Sequence, residues 1–529
     1  MRSVGGVSVL SLFVPLSLLL AGAPPLPAFS AAVAIQHTGS PKPDQPQDET
    51  DRLFEQYFDQ LYGRQYADAL ATSSRFDPDE DNKEGQAIVK AMRAAALLGL
   101  TRDQEAAKLF AEADAGAPSV SLVSTLQFDA GLYAENYEVA AIALDRMIAR
   151  MPDVARELDV DGVSFLLANE PKGQDLQNEE RRVALARLGF GGAGGDYFIS
   201  SAIEILVKRG EVARAEPLLF KLDSPSLVET LLIQRRYAAL WTKIEARAGA
   251  NLHNFRESSV LAARREFDEE PDSTSKLQLL IHVLRSAGKL DAAIALQSKL
   301  PSTPDALSSA DEDTGWSINE VALALHRAGR RDEADQLFAS LNEAKMKNGR
   351  WRVSMFINRL ELLVSDGRFD RALPLLDLTE ASAAVDGNAY ARQLVRRLRY
   401  CTMSGLGRKA EAAKLLPELL KQASDAPGAT IDALLCAGEV DRAEKLALAS
   451  LKDEKFQADF VSRLQARPLT SDDPSIWAKR WQELRQRPAI AAEFNRLGRD
   501  MPAEFLPPAI ELTDEPARIP APSGWTEQG

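Results

Sequence analysis

Between residues 50 and 467 nearly every stretch of the chain places apolar residues three and four apart, with Ala, Leu, Arg and Glu dominating. That spacing gathers the apolar side chains on one face of a 3.6-residue helix, and the residue types favour a helical backbone. No convincing run alternates apolar and polar residues with the two-residue period of a strand. The pattern predicts an all-α fold.

A register recurs when segments are aligned on Gly210, Gly288, Gly329, Gly367, Gly407 and Gly438. Five residues after each stands Ala215, Ala293, Ala334, Ala372, Ala412 or Ala443, and eight after stands Leu218, Leu296, Leu337, Leu375, Leu415 or Leu446. Four before stands Leu206, Leu284, Leu325, Leu363, Met403 or Leu434, and seven before stands Ile203, Ile281, Ala322, Leu360, Tyr400 or Ile431. Glycine accepts the left-handed backbone that ends one helix and reverses the chain. The alanine lets two helices approach, while the leucine fills space against the apolar pair of the first helix. One such hairpin cannot bury its apolar faces alone, so neighbours must stack into an α-solenoid. Weaker copies surround Thr101 (Ala94, Leu97, Ala106, Leu109) and Glu135 (Phe128, Ala140, Leu144), and Tyr66 with Ala69 suggests another.

In this register the chain resembles the tetratricopeptide (TPR) repeat family, most clearly in Leu325-His-Arg-Ala-Gly-Arg-Arg-Asp-Glu-Ala-Asp-Gln-Leu-Phe338. Successive glycines from Gly288 onward are 41, 38, 40 and 31 residues apart, whereas the family repeat is about 34. The repeats therefore read as divergent and lengthened, and the 78 residues from Gly210 to Gly288 are expected to hold further degenerate helices, including 231–244. The resemblance spans residues 50–451 and implies a TPR-like superhelix whose first helices line a concave groove for extended peptides or partner helices. Carried across from the turn glycines, the groove positions are Tyr197, Glu204, His282, Arg285, Trp316, Asn319, His326, Arg327, Glu361 and Arg397. Their mix of aromatic, amide and charged groups suits a peptide surface.

Breaks in the pattern mark the organisation. The glycine-rich run 189–195 predicts a hinge between an N-terminal block of degenerate repeats (50–188) and the clearer TPR-like repeats (196–467). Beyond these, Trp477, Trp481 and Leu484 share a helix face and predict capping helices over 468–501; six prolines between Pro502 and Pro522 make 502–529 an extended tail. At the other end, Arg2, the apolar run 7–21 and the small residues around Ala28-Phe29-Ser30 read as a signal peptide (1–30) with a mature start near Ala31. An uncleaved anchor is the alternative, weighed against by Pro15 and the cleavage-site residues. Residues 31–49, rich in Pro, Gln, Asp and Ser, are too polar for a core and read as a disordered tether. The location expected is periplasmic or secreted, with no stable membrane insertion after cleavage.

A net charge of −14 opposes nucleic-acid binding, which needs concentrated Lys and Arg to release counterions. Only Cys401 and Cys436 occur. They lie six and two residues before their turn glycines, an axial offset of ~6 Å on top of a helix separation of ~8–10 Å, against the ~7 Å a bridge allows. Buried free thiols are favoured.

Local chemistry is sparse. Gly189, Gly191 and Gly194 match the dinucleotide fingerprint in spacing, but a helix precedes them and Asp196 stands where a phosphate would sit. The acidic run 77–81 lacks the glycine and closing glutamate of a calcium loop, and His37, His253, His282 and His326 have no second ligand at zinc spacing. No cofactor, metal or catalytic site is expected. The leading reading is a non-enzymatic scaffold of the bacterial envelope that binds a protein or peptide on a helical groove. The alternative is a helical-superhelix enzyme or binder acting on cell-wall or extracellular polysaccharide, whose paired carboxylates would leave no local motif.

Overall fold

The computed structural model describes residues 49–169, 173–191, 195–222, 224–249, 252–343, 351–466 and 476–506. The expected signal peptide, nearly all of the tether and tail, and the start of the cap lie outside them. The described residues are helical, joined by short turns, with no strand among them beyond one isolated antiparallel bridge, Gln234 to Gly498. The chain forms two compact units that divide between Lys221 and Leu222.

The first unit runs through α1 (Glu49–Tyr62), α2 (Tyr66–Ser73), α3 (Lys83–Gly99), α4 (Asp103–Gly116), α5 (Ser121–Tyr133), α6 (Tyr137–Arg150), α7 (Pro152–Glu157), α8 (Val160–Ala168), α9 (Asp175–Leu188), α10 (Asp196–Lys208) and α11 (Val212–Ala215). Helices pack against the next in sequence and against the next but one, the signature of stacked hairpins. The glycine-rich run expected to divide the chain lies inside this unit. Gly189 caps α9 in the left-handed conformation (φ 74°), Phe190 packs edge-on against Phe198 of α10, and Arg209 bonds Glu179 and Glu180 across the pair.

All six register glycines are left-handed, with φ between 69° and 77°. The same turn recurs without glycine at Arg64, Thr101 and Glu135, with φ from 55° to 59°, which is why the N-terminal copies were faint in sequence. The geometry at each turn is common. The amide after the turn residue donates to the carbonyl of the apolar residue four before it, as in Lys289 to Leu284 (2.9 Å), Arg330 to Leu325 (2.9 Å) and Arg102 to Leu97 (3.0 Å). One residue thus anchors both the core and the chain reversal.

The register alanines are all 0–3% exposed, and the residues four and seven before each glycine are all buried. The leucine eight after is less uniform: Leu218 and Leu296 are buried, but Leu337, Leu375, Leu415 and Leu446 are half-buried. In three of those four hairpins the deep position is one residue later, at Phe338, Leu376 and Ala447. That position lies four after the alanine, one turn along the same face.

The second unit comprises α12 (Pro225–Ile233), α13 (Trp241–Ala248), α14 (His253–Glu269), α15 (Thr274–Ser286), α16 (Leu290–Ala295), α17 (Pro304–Leu307), α18 (Glu312–Arg327), α19 (Arg331–Glu343), α20 (Arg352–Ser365), α21 (Phe369–Ala372), α22 (Leu376–Val385), α23 (Ala389–Gly405), α24 (Lys409–Lys421), α25 (Pro427–Cys436), α26 (Val440–Lys452), α27 (Glu454–Arg463), α28 (Ile476–Arg485) and α29 (Pro488–Leu497). The helix foreseen over 231–244 is broken at Gln234, whose extended backbone receives a returning strand-like segment. There the array closes on itself. Arg499 N–H donates to Ile233 O (2.8 Å), its Nε to Leu232 O (2.7 Å) and its Nη2 to Glu245 (2.6 Å), while the guanidinium stacks 3.6 Å from the Trp241 ring. Gly498 is required at this seam because a Cβ would sit 2.9 Å from Ile233 O and 2.6 Å from Val461. Trp481 and Leu484 of the expected cap are buried.

Cys401 and Cys436 form a disulfide between α23 and α25, with Cα atoms 5.7 Å apart. Free thiols were expected on the premise that the turn glycines stand level. They do not: residues 35 apart face each other here, as Arg397 and Asp432 also show. That one-turn slide absorbs the offset. In addition, facing Cα atoms lie nearer than the helix axes, each by about 2.3 Å.

We predict that Gly329→Ala, which meets no neighbouring atom, lowers stability by about 1–2 kcal/mol through backbone strain alone. Thr101→Gly relieves that strain in the first unit and raises stability by about 1 kcal/mol. Urea unfolding followed by circular dichroism measures both; a Thr101→Gly protein no more stable than the parent would count against a common turn geometry.

Candidate functional site

The inner helices of the second unit are buried nearly all round. Every residue from Thr314 to His326 in α18 is buried, as is every residue of α25. A helix enclosed in this way should be apolar, yet these carry charge, and each polar group must find a partner that water cannot supply.

The partners come from the next repeat. Arg285 of α15 donates through Nε to Glu320 of α18 (2.6 Å), and His282 Nδ1 lies 3.2 Å from the same oxygen. Burial alone would raise the Glu320 pKa, but Arg285 and His282 hold it down at about 2. Asn358 of α20 donates to Asn319 of α18 (2.8 Å). His326 Nε2 lies 3.1 Å from both carboxylate oxygens of Asp366, which Arg331 also approaches at 3.4 Å. Arg397 of α23, 1% exposed, joins Glu361 of α20 to Asp432 of α25 through Nη1 at 3.1 and 3.2 Å. Trp481 Nε1 donates to the second Asp432 oxygen (2.8 Å) and ties the cap to the ladder. Burial pushes the Arg397 guanidinium down, and Asp432 opposes that shift. At the start of the unit Arg256 pairs with buried Glu229 (3.2 Å), whose pKa burial raises to about 7 against the pull of Arg256.

Among the ten groove residues, Arg285, Trp316, Asn319, His326, Glu361 and Arg397 are buried. Trp316 packs with Leu307, Phe338 and Trp351, and its Nε1 donates to Glu312 (3.2 Å). His282 is half-exposed, and Arg327 donates to the Arg285 carbonyl (2.8 Å). In the first unit Tyr197, 46% exposed, and Glu204 face solvent on α10. Sequence reasoning missed the acidic partners Glu320, Asp366 and Asp432. A signal existed, opposite charges about one repeat apart, but Arg285 lies three before its glycine and Glu320 nine before, while Arg397 lies ten before and Asp432 six. A fixed register cannot pair them.

The first unit has an analogous group. Asp129 of α5 accepts a bond from Tyr62 (3.3 Å), and burial raises its pKa to about 7 against that bond.

The seam of the second unit holds a cleft of about 310 Å3 lined by Gln234, Arg235, Arg236, Gln457, Val461, Arg496 and Leu497. Arg235 donates to the Asn495 and Gly498 carbonyls at 3.0 and 3.3 Å. No group of three or more His, Cys, Asp or Glu side chains placed to hold a metal ion occurs among the described residues.

The architecture defines an all-α solenoid of TPR-like hairpins. Neither a family model nor a curated protein sequence matches the chain. Among solved structures it is similar to a Rap protein complexed with Competence and Sporulation Factor, at 11% identity over 85% of this chain and 97% of that one, with a TM-score of 0.29. It is also similar to the TPR domain of P58(IPK), at 15% identity over 83% of this chain and 100% of that one, with a TM-score of 0.18.

The buried carboxyls set a pH dependence. Folded Glu229 and Asp129 keep their protons to about pH 7, whereas unfolded they release them at 4.5 and 3.8. More protons are bound in the folded state across that window, so stability falls as pH rises through it. Glu320 acts oppositely: its contribution is present above pH 4.5 and is lost as pH falls toward 2. Melting temperature should therefore decline between about pH 5 and 7, and Glu229→Gln should flatten the decline and recover on the order of 1–3 kcal/mol at about pH 8. Thermal melts across that range would refute this if the parent showed no slope.

Proposed function

We propose that this chain is an exported, non-enzymatic interaction scaffold that presents curved faces of stacked hairpins to a protein or peptide partner. The observation that carries the reading is the pairing of the inner polar positions of the second unit with each other. Packing cross-linked by such pairs preorganises a large surface, which lowers the cost of binding. Export is supported by the N-terminal pattern of charge, apolar run and small residues, and by a disulfide, a bond that persists in oxidising compartments. Of the ten groove positions, the fully exposed ones are Tyr197 and Glu204 on α10, with exposed Phe220 at the end of the same hairpin away from Gly210, and we assign the partner to that face.

N-terminal sequencing of the mature protein should give a start near Ala31, and a thiol titration of the native protein should find no free cysteine. Affinity capture from the native envelope should recover a partner whose binding Tyr197→Ala weakens by about 1–3 kcal/mol with no change in melting temperature. Trp316→Ala should instead destabilise the protein by about 3–5 kcal/mol, as removal of a packed core aromatic does. A partner indifferent to Tyr197→Ala would remove the α10 face from the proposal.

A further inference from the structure

The first unit buries a carboxyl group that no cation meets among the described residues. Asp129 of α5 is 8% exposed, and the hydrogen bond it accepts comes from Tyr62 of α1, 67 residues away and at 3.3 Å. Strong O–H···O bonds are about 2.5–3.0 Å long, so this one returns little of what burial costs a carboxylate. Two titratable groups bear on Asp129: the Tyr62 hydroxyl, and the carboxylate of Asp159, which caps the start of α8 by accepting from Gly162 N (2.7 Å). Helices α3, α4 and α6 also pack against α5 and bring no offsetting charge. Burial first, then Asp159, raises the Asp129 pKa to about 7 against the Tyr62 bond.

The cover over this carboxyl belongs to the element that can open most cheaply. Among the described residues α1 and α2 form the terminal hairpin, held by a neighbouring repeat on one side only, and a solenoid hairpin draws its stability from its neighbours. Leu53, Tyr57 and Leu61 fix α1 in the core of the first unit, where Tyr57 Oη donates to Met92 O of α3 (2.7 Å). Tyr62 reaches past α3 to α5, and its ring lies against Tyr133 with centroids 5.4 Å apart. Opening the hairpin therefore lifts Tyr62 away and admits water to Asp129.

We propose that Asp129 is a proton-operated latch on the N-terminal hairpin: protonated, it tolerates burial beneath Tyr62 and α1 stays closed on α5; ionised, it favours local opening of α1 and α2. The closed hairpin keeps the proton to about pH 7, whereas the open one releases it near the ordinary value of 3.8. More protons are bound in the closed state across that window, so the open fraction grows with pH, by up to about tenfold per unit, and levels off above it. Opening uncovers Leu53, Tyr57 and Leu61 together with the α3 surface they cover. The first unit thus exposes apolar surface as the medium turns from acidic to neutral, apart from the α10 face.

The test is amide hydrogen exchange of the full chain between about pH 5 and 8, expressed as protection factors corrected for the intrinsic exchange rate. Protection across α1 and α2 should fall about tenfold or more from about pH 5 to 7 in the parent, and Asp129→Asn, which keeps the shape but cannot ionise, should hold it within about twofold. Asp159→Asn retains a good helix cap while removing the neighbouring charge, so it should move the midpoint to lower pH. Glu229→Gln in the second unit should leave the fall at α1 and α2 in place, which separates local opening from the global pH dependence. A parent hairpin whose protection does not change with pH, or an Asp129→Asn hairpin that keeps the slope, overturns the proposal. Should Asp129→Asn fail to fold, the exposed Asp159 decides: a midpoint unmoved by Asp159→Asn overturns it as well.

Discussion

The second unit depends on one constraint: charge carried into an enclosed interior must be matched there. Its first helices bury arginine, glutamate, aspartate and asparagine, and no solvent is left to receive their hydrogen bonds. Arg397 between Glu361 and Asp432, and Glu320 between Arg285 and His282, meet that demand from one repeat to the next. Such pairs add little net stability over an apolar core, but they are specific. A shifted repeat would leave a buried charge alone, at a cost of about 3–5 kcal/mol. The ladder thus holds lengthened, irregular repeats in one stagger.

Closure follows from the same logic. An open solenoid needs polar caps at both ends, because its terminal repeats expose an apolar face. Here the segment after α29 returns to α12, with Arg499 stacked on Trp241 and bonded to two backbone carbonyls and Glu245. Gly498 permits the approach. The closing contact satisfies the Leu232 and Ile233 carbonyls at the end of α12.

The turn is made in two ways. Glycine takes the left-handed position at Gly210 of the first unit and in each register hairpin of the second, whereas Arg64, Thr101 and Glu135 of the first take it with strain. The alanine five later is buried in both, at Ala69, Ala106 and Ala140 as at Ala293 and Ala334. Helix contact tolerates less variation than the turn, since a larger side chain at the alanine would push two backbones apart, whereas a strained turn residue costs about 1–2 kcal/mol and leaves packing intact.

The sequence by itself determined the all-α class, the hairpin unit, the left-handed turns and the buried alanines, because each is set by contacts within some ten residues of a glycine. It read the cysteines as free and carried ten groove positions across from a regular repeat, six of which are buried. Those outcomes depend on how far one helix slides along the next and on whether the array closes. Only the tertiary structure decides them: a one-turn slide brings residues 35 apart face to face, and closure joins residues about 260 apart. No local pattern encodes either, since many side chains far apart in sequence settle the stagger together.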